Sequence, residues 1–116
     1  MSKVKIKVLN IFEGKKDCYE TIAIQEEDKI KYKELDNTTV VFDQKKKSLY
    51  RENKDLQMKY SFIEEKETEG TIKIKELNKE LSVMIHTKKV RIDNKKIEII
   101  FTIEDNEFIY QVEVLE

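Results

Sequence analysis

The sequence predicts an all-β fold, in which a single domain of residues 1–116 forms an antiparallel meander that closes into a barrel of about 8–10 strands. Apolar residues occupy every second position over most of residues 80–115, a period that places one face of each strand in a core. The polar segments between these runs are too short for a crossover helix, so successive strands run antiparallel. Charged residues form 41% of the chain, and the alternation assigns them to the outer face of the barrel.

The N-terminal segment predicts two strands joined by a turn. Apolar residues alternate with lysines at the start of the chain, and a change of parity predicts a bulge or a sharp bend near residues 8–9. Residues 14–17 predict the turn. In the second strand, residues 19–25, Ile22 and Ile24 share one face.

Five further short runs, each bounded by Asn, Asp, Glu or Lys, predict the next strands. They contain residues 30–32, 40–42, 48–52, 56–62 and 72–74. The almost wholly charged residues 64–69 predict a mobile loop, and the chain enters the strand that follows through Gly70.

The C-terminal runs predict strands at residues 81–85, 90–92, 97–103 and 108–114. The polar breaks between them predict hairpins at residues 87–89, 93–94 and 104–106. Leu77, Leu81, Met84 and Ile85 also fit helical spacing, which leaves a helix over residues 76–87 as an alternative. The composition of this segment and the regular spacing of the turns favour a strand.

Charge balance and cysteine content restrict the partners and the compartment. The net charge is −1, with 23 basic and 24 acidic residues mixed along the chain, so no sustained field attracts nucleic acid or a membrane surface. Cys18 is the single cysteine, which excludes an internal disulfide, and no apolar run has the length of a signal peptide or a membrane span. We therefore expect a soluble, cytoplasmic protein that binds neither nucleic acid nor membrane.

From Tyr50 onward, the order of features resembles the YwiB-like family of small bacterial proteins. Three spacings carry the resemblance: Arg51 leading to Met58-x-x-x-Phe62, Leu81-x-Val83 leading to Thr87-x-x-Val90, and Ile97-x-Ile99-x-Phe101 before a last apolar strand. The resemblance covers the larger, C-terminal part of the chain and implies a lipocalin-like (calycin) barrel. It implies no particular activity, because the family has none established.

Residues with catalytic or metal-binding chemistry are sparse. His86 is the single histidine, and zinc sites need three or four ligands, so we expect no metal and no cofactor. Cys18 follows two lysines, as reactive thiols often do, but it has no identifiable His or Asn partner and is expected to be a small apolar filler. Glu20 shares the face of Ile22 and Ile24 and is the candidate for a carboxylate in an apolar setting, but an inward-leaning Glu at a strand end, or one paired with Lys, is the favoured interpretation. Motifs for phosphate binding, a nucleophile elbow and zinc hydrolysis are missing.

The clustered basic residues fit two roles, a functional one in nucleic-acid binding and an ordinary one as solvated residues of hairpin tips. Together with Tyr50 as a stacking residue, two basic sets fit the surface that small barrels use for single-stranded nucleic acid: residues 45–47, and residues 88, 89, 91, 95 and 96. Acidic residues interrupt these sets, so solvated hairpin tips are the expected role. Arg51 and Arg91 adjoin inward-facing apolar residues, and we expect them to close one barrel end by bonding carbonyls or a carboxylate.

The function that these observations favour is a non-enzymatic barrel that holds a small apolar or amphipathic ligand at its open end. Four aromatic residues form the predicted ligand site: Tyr32, Phe42, Phe62 and Tyr110. Their rings bury the apolar part of a ligand, and the phenol hydroxyls orient a polar group. The alternative is a protein-interaction or structural module whose barrel is filled and whose strand edge or charged face meets a partner. An uncharacterised enzyme is the third hypothesis.

Overall fold

In residues 2–12 and 14–115, which the computed structural model describes, the chain forms ten β-strands and no helix. The strands are β1 Ser2–Phe12, β2 Lys15–Glu26, β3 Lys29–Lys33, β4 Thr39–Asp43, β5 Ser48–Glu52, β6 Leu56–Ser61, β7 Glu67–Ile74, β8 Lys79–Ile92, β9 Lys96–Ile103 and β10 Asn106–Leu115.

Every strand pairs antiparallel with the next one along the chain, and β1 also pairs with β10, which closes the sheet into a barrel. At this seam the register runs from Lys5 opposite Leu115 to Phe12 opposite Phe108. The predicted all-β antiparallel barrel is therefore confirmed, with ten strands. Closure does not pair every strand along its whole length, because β2 pairs with β3 only from Ile24 to Glu26, and residues 15–23 of β2 have no paired strand on that side among the described residues.

The core follows the period of two on the inner face of the barrel. In β9, for example, Ile97, Ile99 and Phe101 are 2%, 0% and 4% exposed. Full burial of one such side chain contributes about 1.5–3 kcal/mol. β7 approaches this core most closely at Gly70, where an added Cβ would lie 2.8 Å from Tyr60 Cδ1 and 2.8 Å from Ile85 Cδ1. Glycine at this position therefore lets Tyr60 and the strand backbone pack together.

The bulge, one of the two alternatives predicted for the first strand, is wrong. β1 keeps one continuous register against both neighbours, so its inner face extends without a break from Val8 through Asn10 to Phe12. The change of parity in the sequence arises because Leu9 and Ile11 are half-buried on the opposite face of the same strand. This regular register is what directs a polar residue, Asn10, toward the barrel interior.

The predicted turn at residues 14–17 is too long, because β2 already begins at Lys15. On this strand Ile22 and Ile24 are 57% and 37% exposed and lie on the outer face, whereas Ala23 is fully buried. β-branched residues suit an exposed strand as well as a buried one, so their presence did not identify the inner face. The inner face of β2 is instead the one that contains Tyr19.

The predicted hairpin at residues 87–89 is a β-bulge. β8 continues unbroken through this segment, and its register against β9 shifts at Lys88. The extra residue moves the inward positions from the parity of Ile85 to that of Val90, and this change of parity in the sequence resembles a break between two strands. The helical alternative over residues 76–87 is also wrong, because β8 begins within it and pairs with β7.

The loop predicted at residues 64–69, before Gly70, is shorter in the structure. β7 begins at Glu67, so residues 67–69 of the predicted loop already pair with residues 84–86 of β8. Alternating charged and small residues are compatible with a strand when one face is exposed to water.

Candidate functional site

A cavity of about 450 Å³ opens at one end of the barrel. The end of β1, the start of β2 and residues 34–36, which follow β3, form its rim. Deeper in the barrel its walls include Tyr32, Tyr60 and Tyr110, which are at most 7% exposed. The volume lies within the range of about 300–1,000 Å³ that is typical of small-molecule sites.

Stacked aromatic rings line one side of the cavity from the rim inward. Phe12 stacks on Phe108 with ring centroids 4.4 Å apart, and Phe108 stacks on Phe101 at 5.0 Å. Tyr60 then meets Phe101 edge to face at 6.1 Å. The stack crosses the seam of the barrel, because the pairing of β1 with β10 sets Phe12 opposite Phe108. This wall offers apolar ring faces to a bound molecule.

A polar cluster faces the same cavity and is centred on the carboxylate of Glu34, whose side chain is 12% exposed. Arg51 Nη2 donates to Glu34 Oε1 and forms an ion pair with it. The Tyr19 hydroxyl donates to Oε2 over 3.2 Å, and Asn10 Nδ2 donates to the same oxygen over 3.4 Å. Side chains from β1, β2 and β5 therefore meet on one carboxylate just beyond the end of β3.

The charges of Arg51 and Glu34 cancel within this cluster. Burial acts to lower the pKa of Arg51, but the charge and hydrogen bond of the adjacent Glu34, together with the nearby phenols of Tyr32 and Tyr19, raise it, so the guanidinium pKa lies above its ordinary value. Within the part of the chain that the structure describes, Glu34 is the one hydrogen-bond partner of Arg51. The other guanidinium N–H groups of this cavity-lining residue remain as donors for a ligand.

Two buried tyrosines share a hydrogen bond at the wall of the cavity. The hydroxyl oxygens of Tyr32 and Tyr110 are 2.8 Å apart, and either can be the donor. Burial raises the pKa of both phenols well above the ordinary value of 10.0. The pKa of Tyr19 is raised by burial and then by the negative charge of Glu34. All three tyrosines are therefore neutral hydroxyls at neutral pH and are able to donate or accept hydrogen bonds.

The fold of this chain can be compared with that of a solved structure. The crystal structure of the YwiB protein from Bacillus subtilis matches it with a TM-score of 0.54, over 98% of this chain and 91% of that one. This chain shares the barrel fold of YwiB. The sequence identity is 16%, so the likeness to YwiB concerns the fold alone, and it confirms the sequence resemblance at that level. No protein-family model matches the chain, and no curated protein matches it.

The four residues of the predicted ligand site divide into two pairs. Tyr32 and Tyr110 line the cavity and are joined through their hydroxyls. Phe42 is fully buried behind the wall, with its ring centroid 6.0 Å from that of Tyr110. Phe62 is 1% exposed and packs on Phe101 at 4.9 Å. The two phenylalanines thus support residues of the wall from within the core.

The expected bond from Arg51 to a carboxylate is present as the ion pair with Glu34, but the cavity opens at this end of the barrel, so the pair does not close it. Arg91 does not close a barrel end either, because its side chain is 56% exposed and pairs with Asp93 over 3.4 Å. The sequence interpretation missed Asn10 and Glu34 and did not assign Tyr19 to the site. A signal for Glu34 existed, since it lies on the inward parity of β3 at the point where that strand ends.

The remaining chemically interesting residues lie apart from the polar cluster. Glu20 is on the outer face of β2 and pairs with Lys5 over 3.3 Å, so the favoured pairing with a lysine is confirmed and the candidate apolar setting is wrong. His86 is exposed on β8, and Cys18 is exposed at the rim rather than acting as an apolar filler. Among residues 2–12 and 14–115, no group of three or more His, Cys, Asp or Glu side chains is arranged to hold a metal ion.

Several basic residues of the outer surface have acidic partners. Lys88 pairs with Glu107 over 2.9 Å, and Lys89 pairs with Glu98 over 2.7 Å. The Tyr50 hydroxyl donates to Glu52 over 2.6 Å. The described part of the chain forms no helix long and apolar enough to cross a lipid bilayer.

Proposed function

We propose that the protein is a cytoplasmic, non-enzymatic, one-domain barrel of the YwiB-like, lipocalin-like type that binds a small apolar or amphipathic ligand at its open end. The observation that carries this proposal is the cavity of about 450 Å³, which combines a stacked aromatic wall with a polar cluster. Apolar walls with a few oriented polar groups are the usual composition of small-molecule sites.

The geometry supports a ligand with two chemically different ends. Against the rings of Phe12, Phe108 and Phe101, the apolar part of a ligand leaves water and gains dispersion contacts. A polar group at the other end reaches the donors of Arg51 or the hydroxyls of Tyr32 and Tyr110. The burial of both ends therefore leaves the polar group hydrogen-bonded, which avoids the cost of burying it without a partner.

Binding is better supported than catalysis because the ionisable groups of the cavity interior are already engaged or neutral. Glu34 is held by three donors, and a general base needs a free lone pair aimed at the substrate. The pKa of Tyr19 is raised by burial and by Glu34, away from the range in which a phenol transfers a proton at neutral pH.

The proposal is tested with a neutral fluorescent probe, Nile red, and a matched pair of methionine variants. Met58 lines the cavity, whereas Met84 is 53% exposed on the outer face of β8. We expect saturable binding of one probe per chain, weakened at least about tenfold by Met58→Trp because the indole fills the cavity, and unchanged by Met84→Trp. Thermal melts of both variants verify that they are folded. No saturable binding, or equal effects of the two substitutions, would contradict the proposal.

The alternative, an interaction module, is favoured by one observation. Ile22 and Ile24 are neighbours on the outer face of β2 and are 57% and 37% exposed. Exposed apolar residues on one strand face are a feature of contact surfaces, although two residues form a small patch. Absence of probe binding, together with concentration-dependent association that Ile22→Lys abolishes, would favour this reading.

A further inference from the structure

The charges around the cavity are unequal in number. Arg51 is the one cationic residue of the described cavity lining, and its charge is cancelled by Glu34. Asp17 and Asp36 add two further carboxylates at the rim, where both are exposed. Hydrogen bonds from Thr38, including its backbone N–H, lower the pKa of Asp36, so this carboxyl is negative at neutral pH. A molecule entering the cavity therefore passes a negative rim and reaches a neutral interior.

The interior donors are nevertheless suited to an acceptor group. Arg51 uses one nitrogen for Glu34, and the tyrosine pair uses one of its two hydroxyl hydrogens internally. The remaining guanidinium N–H groups and the other phenol hydrogen are donors without a partner among the described residues. A carbonyl or hydroxyl oxygen satisfies such donors and brings no net charge.

Building on the proposed function, we propose that the ligand is an uncharged amphipathic molecule with a hydrogen-bond acceptor, such as an amide, an ester or an alcohol, and that Glu34 is the residue that excludes carboxylates. A bound carboxylate has two possible positions. It either lies beside the Glu34 carboxylate and makes the cluster anionic, or it displaces Glu34 from Arg51 and leaves that carboxylate unpaired.

Both positions are costly in a partly enclosed site. Like charges repel more strongly where water is excluded, and a charge deprived of its partner loses the interaction that compensated its desolvation. An ammonium group meets the opposite difficulty. Beside Glu34 it either lies next to the positive charge of Arg51 or displaces Arg51 from its partner. A neutral acceptor avoids both costs. The Arg51–Glu34 ion pair therefore favours a neutral ligand over either ion.

The test compares three ligands of equal chain length, decanamide, decanoate and decylammonium, by displacement of Nile red at neutral pH. We expect wild-type protein to bind decanamide at least about tenfold more tightly than either ion. In Glu34→Gln, which removes the internal counter-charge, we expect decanoate to bind at least as tightly as decanamide. The matched control Glu20→Gln removes a carboxylate from the outer face of β2, where it pairs with Lys5, and it retains the preference for the amide.

A second variant distinguishes the effect of the removed charge from a loss of folding in Glu34→Gln. The double substitution Glu34→Gln with Arg51→Gln leaves the cluster neutral again, so we expect the preference for decanamide to return. The inference is overturned if wild-type protein prefers decanoate or decylammonium, or if the folded Glu34→Gln variant keeps the preference of the wild type. Nile red binding without selectivity among the three ligands overturns this inference alone. If neither Nile red nor any of the three ligands binds, the proposed function fails as well.

Discussion

Phe101 contributes both to the core and to the cavity wall. Its ring stacks on Phe108 at the cavity and packs on Phe62 behind it, and the residue is 4% exposed. We expect Phe101→Ala to lower the free energy of unfolding by about 3–5 kcal/mol, because it removes buried contacts and leaves a cavity. Denaturation by urea, monitored by circular dichroism, measures this change.

Ile22→Ala is the control for that measurement. Ile22 is 57% exposed on the outer face of β2, so truncation there removes little buried area. We expect a loss below about 1 kcal/mol. A loss below this value for Phe101→Ala as well would show that the stacked rings do not stabilise the fold.

At the level of residues, prediction from sequence depended on a regular alternation. Tyr32 and Tyr110 lie on strands that alternate without interruption, so their inward orientation could be predicted. Asn10 and Tyr19 were missed because each lies on a strand with apolar residues on both faces, and apolarity does not then identify the inner one. Glu34 was missed because a carboxylate at a strand end is ordinarily solvated. Its partner Arg51 lies on β5, and the two side chains meet only once the barrel has formed.

At the level of strands, the bulge in β8 has a testable role. Lys88 is the extra residue, and the pairing of Thr87 with Phe101 resumes with Lys89 opposite Ile100. Deletion of Lys88 therefore gives a regular strand that keeps the same residues inward. It also removes the exposed ion pair with Glu107, which contributes little to stability. We expect this variant to remain folded, with a stability loss of about 1–2 kcal/mol in chemical denaturation.

A deletion in a regular strand supplies the comparison. Ile100 separates the buried Ile99 and Phe101 in β9, whose register is continuous against β10. Its deletion turns one of these two side chains outward, together with the residues beyond it, so we expect no cooperative unfolding transition. If both deletions are equally disruptive, the bulge is required for the barrel and is not merely tolerated by it.

The same bulge explains one limit of sequence interpretation. A change of parity is produced equally by a hairpin and by one inserted residue, and polar residues occur at both. The two are distinguished by the partner strand, which the local sequence does not reveal. The strands from β9 onward lack such an insertion, and their hairpins could be predicted from alternation and turn residues alone.

At the level of the whole molecule, closure of the barrel creates the site. The seam between β1 and β10 joins the two ends of the chain and brings Phe12 onto Phe108 at the cavity rim. Spacing of turns predicted a meander of about the right number of strands. The cavity itself could not be predicted, because its volume depends on how side chains from seven strands fill a common interior.

The buried hydroxyl pair at this interior predicts how the whole protein responds to alkaline pH. Burial raises the pKa of Tyr32 and Tyr110 above the ordinary value of 10.0 that applies in the unfolded chain. Below that value both states hold the protons, and these groups do not change stability with pH. Above it the unfolded chain releases protons that the folded barrel retains, so stability falls by about 1.4 kcal/mol per pH unit for each tyrosine.

Urea denaturation from neutral pH to about pH 11 measures this loss, with a double variant as the control. Tyr32→Phe with Tyr110→Phe removes both titrating hydroxyls while keeping the rings that fill the barrel wall. Lysines also lose their charge in this range, but they do so equally in both proteins. The difference in slope between wild type and variant therefore isolates the two tyrosines, and we expect the variant to be the less sensitive to alkali. Equal slopes would mean that the pair is reached by water in the folded state, contrary to its burial at the cavity wall.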